Sequence, residues 1–207
     1  MTAFDRTRIG RRVDAIAIGT SAGGVEALSV LLPALPAGLR SPVFIVQHLP
    51  RDRPSRLVEI FAPKCVLPVR EAEDKEPIQA GTVYFAPPDY HLLLDHGPMV
   101  SLSVDEAVHF SRPSIDVLFE SATDVYGDGL LAIILTGASQ DGASGLDAVR
   151  RARGTTVVQQ PDTAQVPLMT EEALKRGPVD FVLPLEGIAD LLGGLAQDGR
   201  GDSSSGC

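Results

Sequence analysis

Short, nearly continuous apolar runs alternate with helix-patterned stretches along most of this 207-residue chain, which leaves few folds open. The runs at 13–18, 43–46, 66–69, 130–135, 155–159 and 181–183 suit strands buried on both faces, as in a parallel sheet. Between them, 25–32, 56–61, 115–126, 142–153, 168–175 and 186–195 read as helices. Strand–helix alternation of this kind implies an α/β fold: a doubly wound, mainly parallel sheet with helices on both faces. One stretch departs from it. Segments 82–86, 91–94 and 100–103 are short strands joined by Pro87-Pro88-Asp89 and His96-Gly97-Pro98. Turns this tight predict an antiparallel hairpin or meander inserted at one edge.

Ligands of an open α/β sheet bind beyond the carboxyl ends of its strands, so those ends are where chemistry is sought. The first strand runs into Gly19-Thr20-Ser21-Ala22-Gly23-Gly24 and then a helix. A Gly-x-Ser-x-Gly turn between strand and helix exposes a serine hydroxyl, with backbone N–H groups beside it. The second strand ends in Gln47-His48-Leu49-Pro50, and the strand at 130–135 ends in Thr136-Gly137-Ala138-Ser139-Gln140-Asp141-Gly142. Serine, histidine and aspartate converge on one crevice if those three strands are neighbours. Their chemistry is complementary: the hydroxyl needs a base, imidazole serves as base and then acid, and a carboxylate orients it.

Taken singly, each has a plainer reading. Ser21 and Asp141 are natural helix caps, and His48 is a loop histidine bonded to backbone. The rival reading of the glycine loop, nucleotide binding, is poorly supported. The loop is not Gly-x-Gly-x-x-Gly, it lacks the phosphate-loop lysine, and Gln47-His48 stands where a dinucleotide site wants an acid. His91, Asp95, His96 and His109 form no tight helical ligand pair and read as exposed hairpin residues, not a metal site.

A net charge of −9 argues against nucleic acid, and Arg11-Arg12 and Arg150-Arg151-Ala152-Arg153 read as solvated faces or helix ends. Cys65 reads as a small core residue, and with Cys207 at the terminus no disulfide framework is expected. Neither a signal peptide nor a membrane span is legible, so a cytoplasmic protein is expected. The organisation expected is an arm over 1–12, a catalytic unit over 13–195 and a disordered tail over 196–207.

These motifs, in this order, resemble the catalytic domain of the CheB-type chemotaxis methylesterases over about 13–192. To the stretches around Ser21, His48 and Asp141 are added Gly81-Thr82-Val83-Tyr84-Phe85-Ala86-Pro87-Pro88-Asp89-Tyr90-His91 and Arg112-Pro113-Ser114-Ile115-Asp116-Val117-Leu118-Phe119. The resemblance implies a Ser21–His48–Asp141 triad, with Thr20, Ala22, Arg112 and Ala138 binding oxyanion or substrate. It implies no metal or organic cofactor. It implies hydrolysis of glutamate γ-methyl esters on a methylated chemoreceptor-like protein, reached at its cytoplasmic part, and deamidation of receptor glutamines in many members.

Three departures stand out. Familiar members carry a receiver domain before the catalytic one, whereas this chain starts about a dozen residues before its first strand and reads as stand-alone. Ser111 stands where many members place a histidine, and Ala138 where many have methionine. Two alternatives stay open: a non-catalytic signalling adaptor of the same fold, and a general small-ester carboxylesterase. Against the latter, the familiar α/β-hydrolase order is Ser, acid, His, and this chain runs Ser, His, Asp.

Overall fold

The structure, a computed structural model, describes residues 12–49 and 54–195. Most of the expected arm (1–11), Pro50, the expected tail and Cys207 lie outside the described residues. Seven strands form one sheet in the order β3-β4-β2-β1-β7-β8-β9, and every pairing in it is parallel. They are β1 (Ala15–Thr20), β2 (Val43–Gln47), β3 (Val69–Glu71), β4 (Val83–Phe85), β7 (Leu130–Ile134), β8 (Thr155–Gln159) and β9 (Phe181–Leu183). A separate two-stranded antiparallel sheet is made by β5 (His91–Asp95) and β6 (Met99–Ser103). The α/β expectation therefore holds, with a parallel main sheet and an antiparallel hairpin.

Two details differ from expectation. Residues 82–86 do not join the hairpin: β4 lies inside the main sheet, parallel to both β2 and β3. All three of its residues are buried, as a strand covered on both faces requires. At Pro87-Pro88-Asp89 the chain leaves the sheet instead of reversing along it. The strand expected at 66–69 is shifted to β3, because Pro68 has no N–H for a ladder and Val66 is exposed.

Side chains alternate along each strand and divide the apolar interior into two layers. Ile16 and Ile18 of β1 face α1 (Gly24–Leu31), α2 (Leu57–Phe61) and α6 (Leu185–Gly193). Ala15 and Ala17 face α3 (Ile115–Tyr126), α4 (Ala143–Arg151), α5 (Leu168–Lys175) and the hairpin. The central strand thus presents large residues to one layer and small ones to the other. Gly19 continues the small stripe, and a methyl group there would lie 2.3 Å from Ile115 Cγ2. The first turn of α3 consequently sits directly on the carboxyl end of β1. Ser114 caps that helix, its side chain accepting the N–H of Val117.

Gly19→Ala is therefore expected to push α3 off the sheet and destabilise the protein by about 1–3 kcal/mol, the usual consequence of overpacking a close contact. Denaturant-induced unfolding of the variant against the parent chain measures it.

Candidate active site

The strand order decides what meets. β1 lies between β2 and β7, with Thr20 opposite Gln47 and Gly19 opposite Ile134. Just past the strand ends, His48 N–H donates to Thr20 O at 3.0 Å, and Ser21 N–H donates to Thr136 O at 3.0 Å. Ser21, His48 and the 136–142 loop thereby lie at one level of the sheet. Sequence order departs in opposite directions on either side of β1, which makes this the switch point where a crevice forms.

Asp141 is wholly buried, and its carboxylate accepts four hydrogen bonds. His48 Nε2 lies 2.9 Å from Oδ2, and Ile115 N–H donates to the same oxygen at 2.7 Å. Ser114 Oγ donates to Oδ1 at 2.8 Å and Asp116 N–H at 3.0 Å. Burial pushes the Asp141 carboxyl up, but the hydrogen bond and charge of His48, with the two backbone N–H groups, outweigh it. Its pKa ends below the ordinary carboxylate value. The helix-cap reading of Asp141 proves half right: it serves not its own helix but the N-terminus of α3, while Gly142, just before α4, gives that helix no side-chain cap.

An ionised carboxylate only accepts, so the proton between the pair belongs to His48 Nε2. His48 Nδ1 is then the basic nitrogen, on the opposite side of the ring from Asp141. Ser21 does not cap α1: the capping position is Gly23, in left-handed backbone (φ 80°), and no side chain caps the helix. Ser21 is half-buried, and its carbonyl accepts from Gly24 N–H and Gln47 Nε2, both at 2.9 Å. The 136–138 loop runs against it, and a methyl group on Gly137 would lie 2.8 Å from Ser21 Cβ. Among the described residues, the N–H groups of Ala22, Gly23 and Ala138 have no acceptor, and Ala22 and Ala138 are exposed. Such N–H groups can meet an oxyanion.

Two other expected site residues are engaged elsewhere. Thr20 is buried and its hydroxyl donates to Thr136 O at 3.0 Å. The Arg112 guanidinium binds Asp89 Oδ1 through Nε (3.0 Å) and Nη2 (2.8 Å), and the Val104 and Asp105 carbonyls through Nη1. It staples the Asp89 turn to the segment beyond β6.

His91, expected to be exposed, is buried: Nδ1 accepts the Ser114 N–H at 3.2 Å and Nε2 lies 3.1 Å from Glu106 O. Its place in an apolar strand next to α3 explains the difference. His109 reaches Gln140 at 3.0 Å and Asp116 at 3.4 Å, beside Asp141 but outside its hydrogen bonds. Asp116 is pushed up by burial, against a 2.7 Å hydrogen bond from Gly145 N–H. Asp141 and Asp116 thus hold the starts of α3 and α4 to one another. Sequence reasoning missed Gln47, Ser114 and Thr136; each is a polar residue at the end of an apolar run or the start of a helix. Cys65 is half-buried against the core, and its thiol is raised by burial. Among the described residues, no helix is long and apolar enough to cross a membrane.

A family profile described as CheB methylesterase matches residues 16–192. A Leptospira interrogans protein is 47% identical over 185 residues, covering 89% of this chain and 96% of its own length. The "Protein-glutamate methylesterase/protein-glutamine glutaminase" of Symbiobacterium thermophilum is 39% identical over 189 residues, and this chain spans about half, 51%, of it. Among solved structures, the Thermotoga maritima CheB methylesterase catalytic domain superposes with a TM-score of 0.84 at 32% identity. That match covers 89% of this chain and all of the other.

Asp141→Asn leaves some of four buried donors without an acceptor, and a loss on the order of 3 kcal/mol is expected at neutral pH. Because Asp141 titrates lower in the folded protein than its unfolded value near 3.8, its stabilisation is full above that value. It is lost as pH falls through the folded value. The stability gap between variant and parent chain should therefore shrink on acidification, as urea unfolding at neutral and acid pH measures.

Proposed function

The chain belongs to the CheB methylesterase family, and from that premise we propose that it is a protein-glutamate methylesterase in which Ser21 is the nucleophile, His48 the base and Asp141 its orienting partner. The observation that carries the reading is the 2.9 Å contact of His48 Nε2 with buried Asp141, at strand ends that also deliver Ser21. The catalytic unit is taken as residues 13–195.

His48 Nδ1 takes the Ser21 hydroxyl proton as Oγ attacks the carbonyl carbon of a glutamyl γ-methyl ester. The imidazolium that forms lies against Asp141, whose charge is maintained by the start of α3. The tetrahedral oxyanion is met by backbone N–H groups at Ala22 and Ala138. Collapse expels methanol, which receives its proton from His48, and leaves a glutamyl ester on Ser21. Water, deprotonated by His48, then attacks that ester, releasing glutamate and restoring Ser21. None of these steps calls for a metal or organic cofactor. A glutamine amide would pass through a similar tetrahedral state and release ammonia, in keeping with the second activity in the Symbiobacterium relative's name. Thr20 contributes from behind, bracing the 136 loop, and Arg112 by holding the Asp89 turn. The substrate proposed is the cytoplasmic part of a methylated chemoreceptor-like protein.

Ser21→Ala is expected to abolish methanol release from methylated receptor while leaving the thermal unfolding midpoint unchanged. Asp141→Asn should lower kcat on the order of 10⁴-fold by favouring the wrong His48 tautomer. A fluorophosphonate should label Ser21 of the parent chain. A pure adaptor would stay unlabelled, and undiminished turnover by Ser21→Ala would overturn the mechanism.

A further inference from the structure

The sheet ladder between β1 and β2 stops one residue short of the chemistry. Its last bond is His48 N–H to Thr20 O, after which β1 runs on into α1 and β2 has ended. Beyond that point the serine and histidine backbones are joined by a side chain. Gln47 is buried, and its Nε2 donates at 2.9 Å to Ser21 O and at 2.9 Å to His48 O. Both facing groups are carbonyl oxygens, which only accept, so the amide nitrogen must point at them. The amide oxygen is then turned toward Gly24 and, among the described residues, has no hydrogen-bond partner. A methyl group on Gly24 would lie 2.0 Å from it. The last glycine of the motif is thus the space this amide occupies.

An apolar side chain of the same length would fill that space without burying an orphan acceptor. The two donors are what distinguish glutamine there, and they act on the two backbones that aim Oγ and the imidazole. Resting on the methylesterase reading of this site, we infer that Gln47 is a positioning residue for the reaction: its amide holds the Ser21 and His48 carbonyls together and so sets the approach of Ser21 Oγ to His48 Nδ1. It touches no reacting atom. Its effect belongs in kcat, because misplacing a nucleophile by a fraction of an ångström slows attack without weakening binding.

The test is Gln47→Met, which keeps length and removes both donors and the orphan oxygen. Gln47→Glu serves as second variant, since it keeps shape but presents acceptors to both carbonyls. The expected result for Gln47→Met is kcat for methanol release about 10- to 100-fold lower, KM within about twofold, and a thermal midpoint unchanged or raised. Fluorophosphonate labelling of Ser21 should slow by the same factor as kcat. Wild-type kcat and labelling rates in both variants would overturn the inference, as would losses that merely track a smaller folded fraction. Labelling does not depend on the natural substrate. A parent chain that labels at Ser21 but releases no methanol would sink the substrate reading, and slower labelling of Gln47→Met would still support Gln47. A parent chain that does neither overturns both.

Discussion

One buried carboxylate joins three parts of the fold that are distant in sequence. Asp141, at the end of the β7 loop, receives the Ser114 hydroxyl, the first N–H groups of α3 and the imidazole of His48 beyond β2. A charge buried this deeply is tolerated only when every oxygen is hydrogen-bonded, and the start of a twelve-residue helix is a favourable place for it. The same contacts that make the charge tolerable keep it ionised, as its lowered pKa reflects. One set of hydrogen bonds therefore holds the fold together and fixes the imidazole, through a group the core could not release without cost.

That arrangement requires α3 to lie very close to the central strand. The Ala15, Ala17 and Gly19 stripe of β1 provides the clearance, and Ile115 packs over Gly19. On the opposite face the large residues of the same strand fill the second layer. The glycines of the opening motif have separate tasks: Gly19 admits α3, Gly23 supplies left-handed backbone at the start of α1, and Gly24 leaves room for the Gln47 amide. A motif that looks like one device for exposing a serine is also how three neighbouring elements close on it.

Much of this was legible because the residues concerned act locally. The strands at Thr155–Gln159 and Phe181–Leu183 and the helix Ile115–Tyr126 match the expected bounds, the strands through β-branched and apolar residues and the helix through its apolar periodicity. The main misreading was at 82–86, where proline-rich turns suggested a meander. Whether a short strand pairs parallel or antiparallel depends on where the chain goes after the turn, and local residues do not specify that. His91 was misjudged for a related reason: its burial comes from α3, more than twenty residues away, packing over the hairpin. The partners of Arg112 were likewise invisible in the sequence: its guanidinium holds Asp89 and two carbonyls that lie several to more than twenty residues away.

The amino-acid sequence alone determined the α/β layering, through burial periodicity, and the candidate chemistry, through which residue types end each apolar run. Whether those strand ends were neighbours was decided only by the tertiary structure. Adjacency in a parallel sheet is set by crossovers and by the register of β2 and β7 against β1, which are long-range properties of packing. The same holds for the two carbonyls that Gln47 reaches and for the helix that Asp141 serves. Both depend on side chains reaching across elements, where proximity in space has no counterpart in sequence spacing.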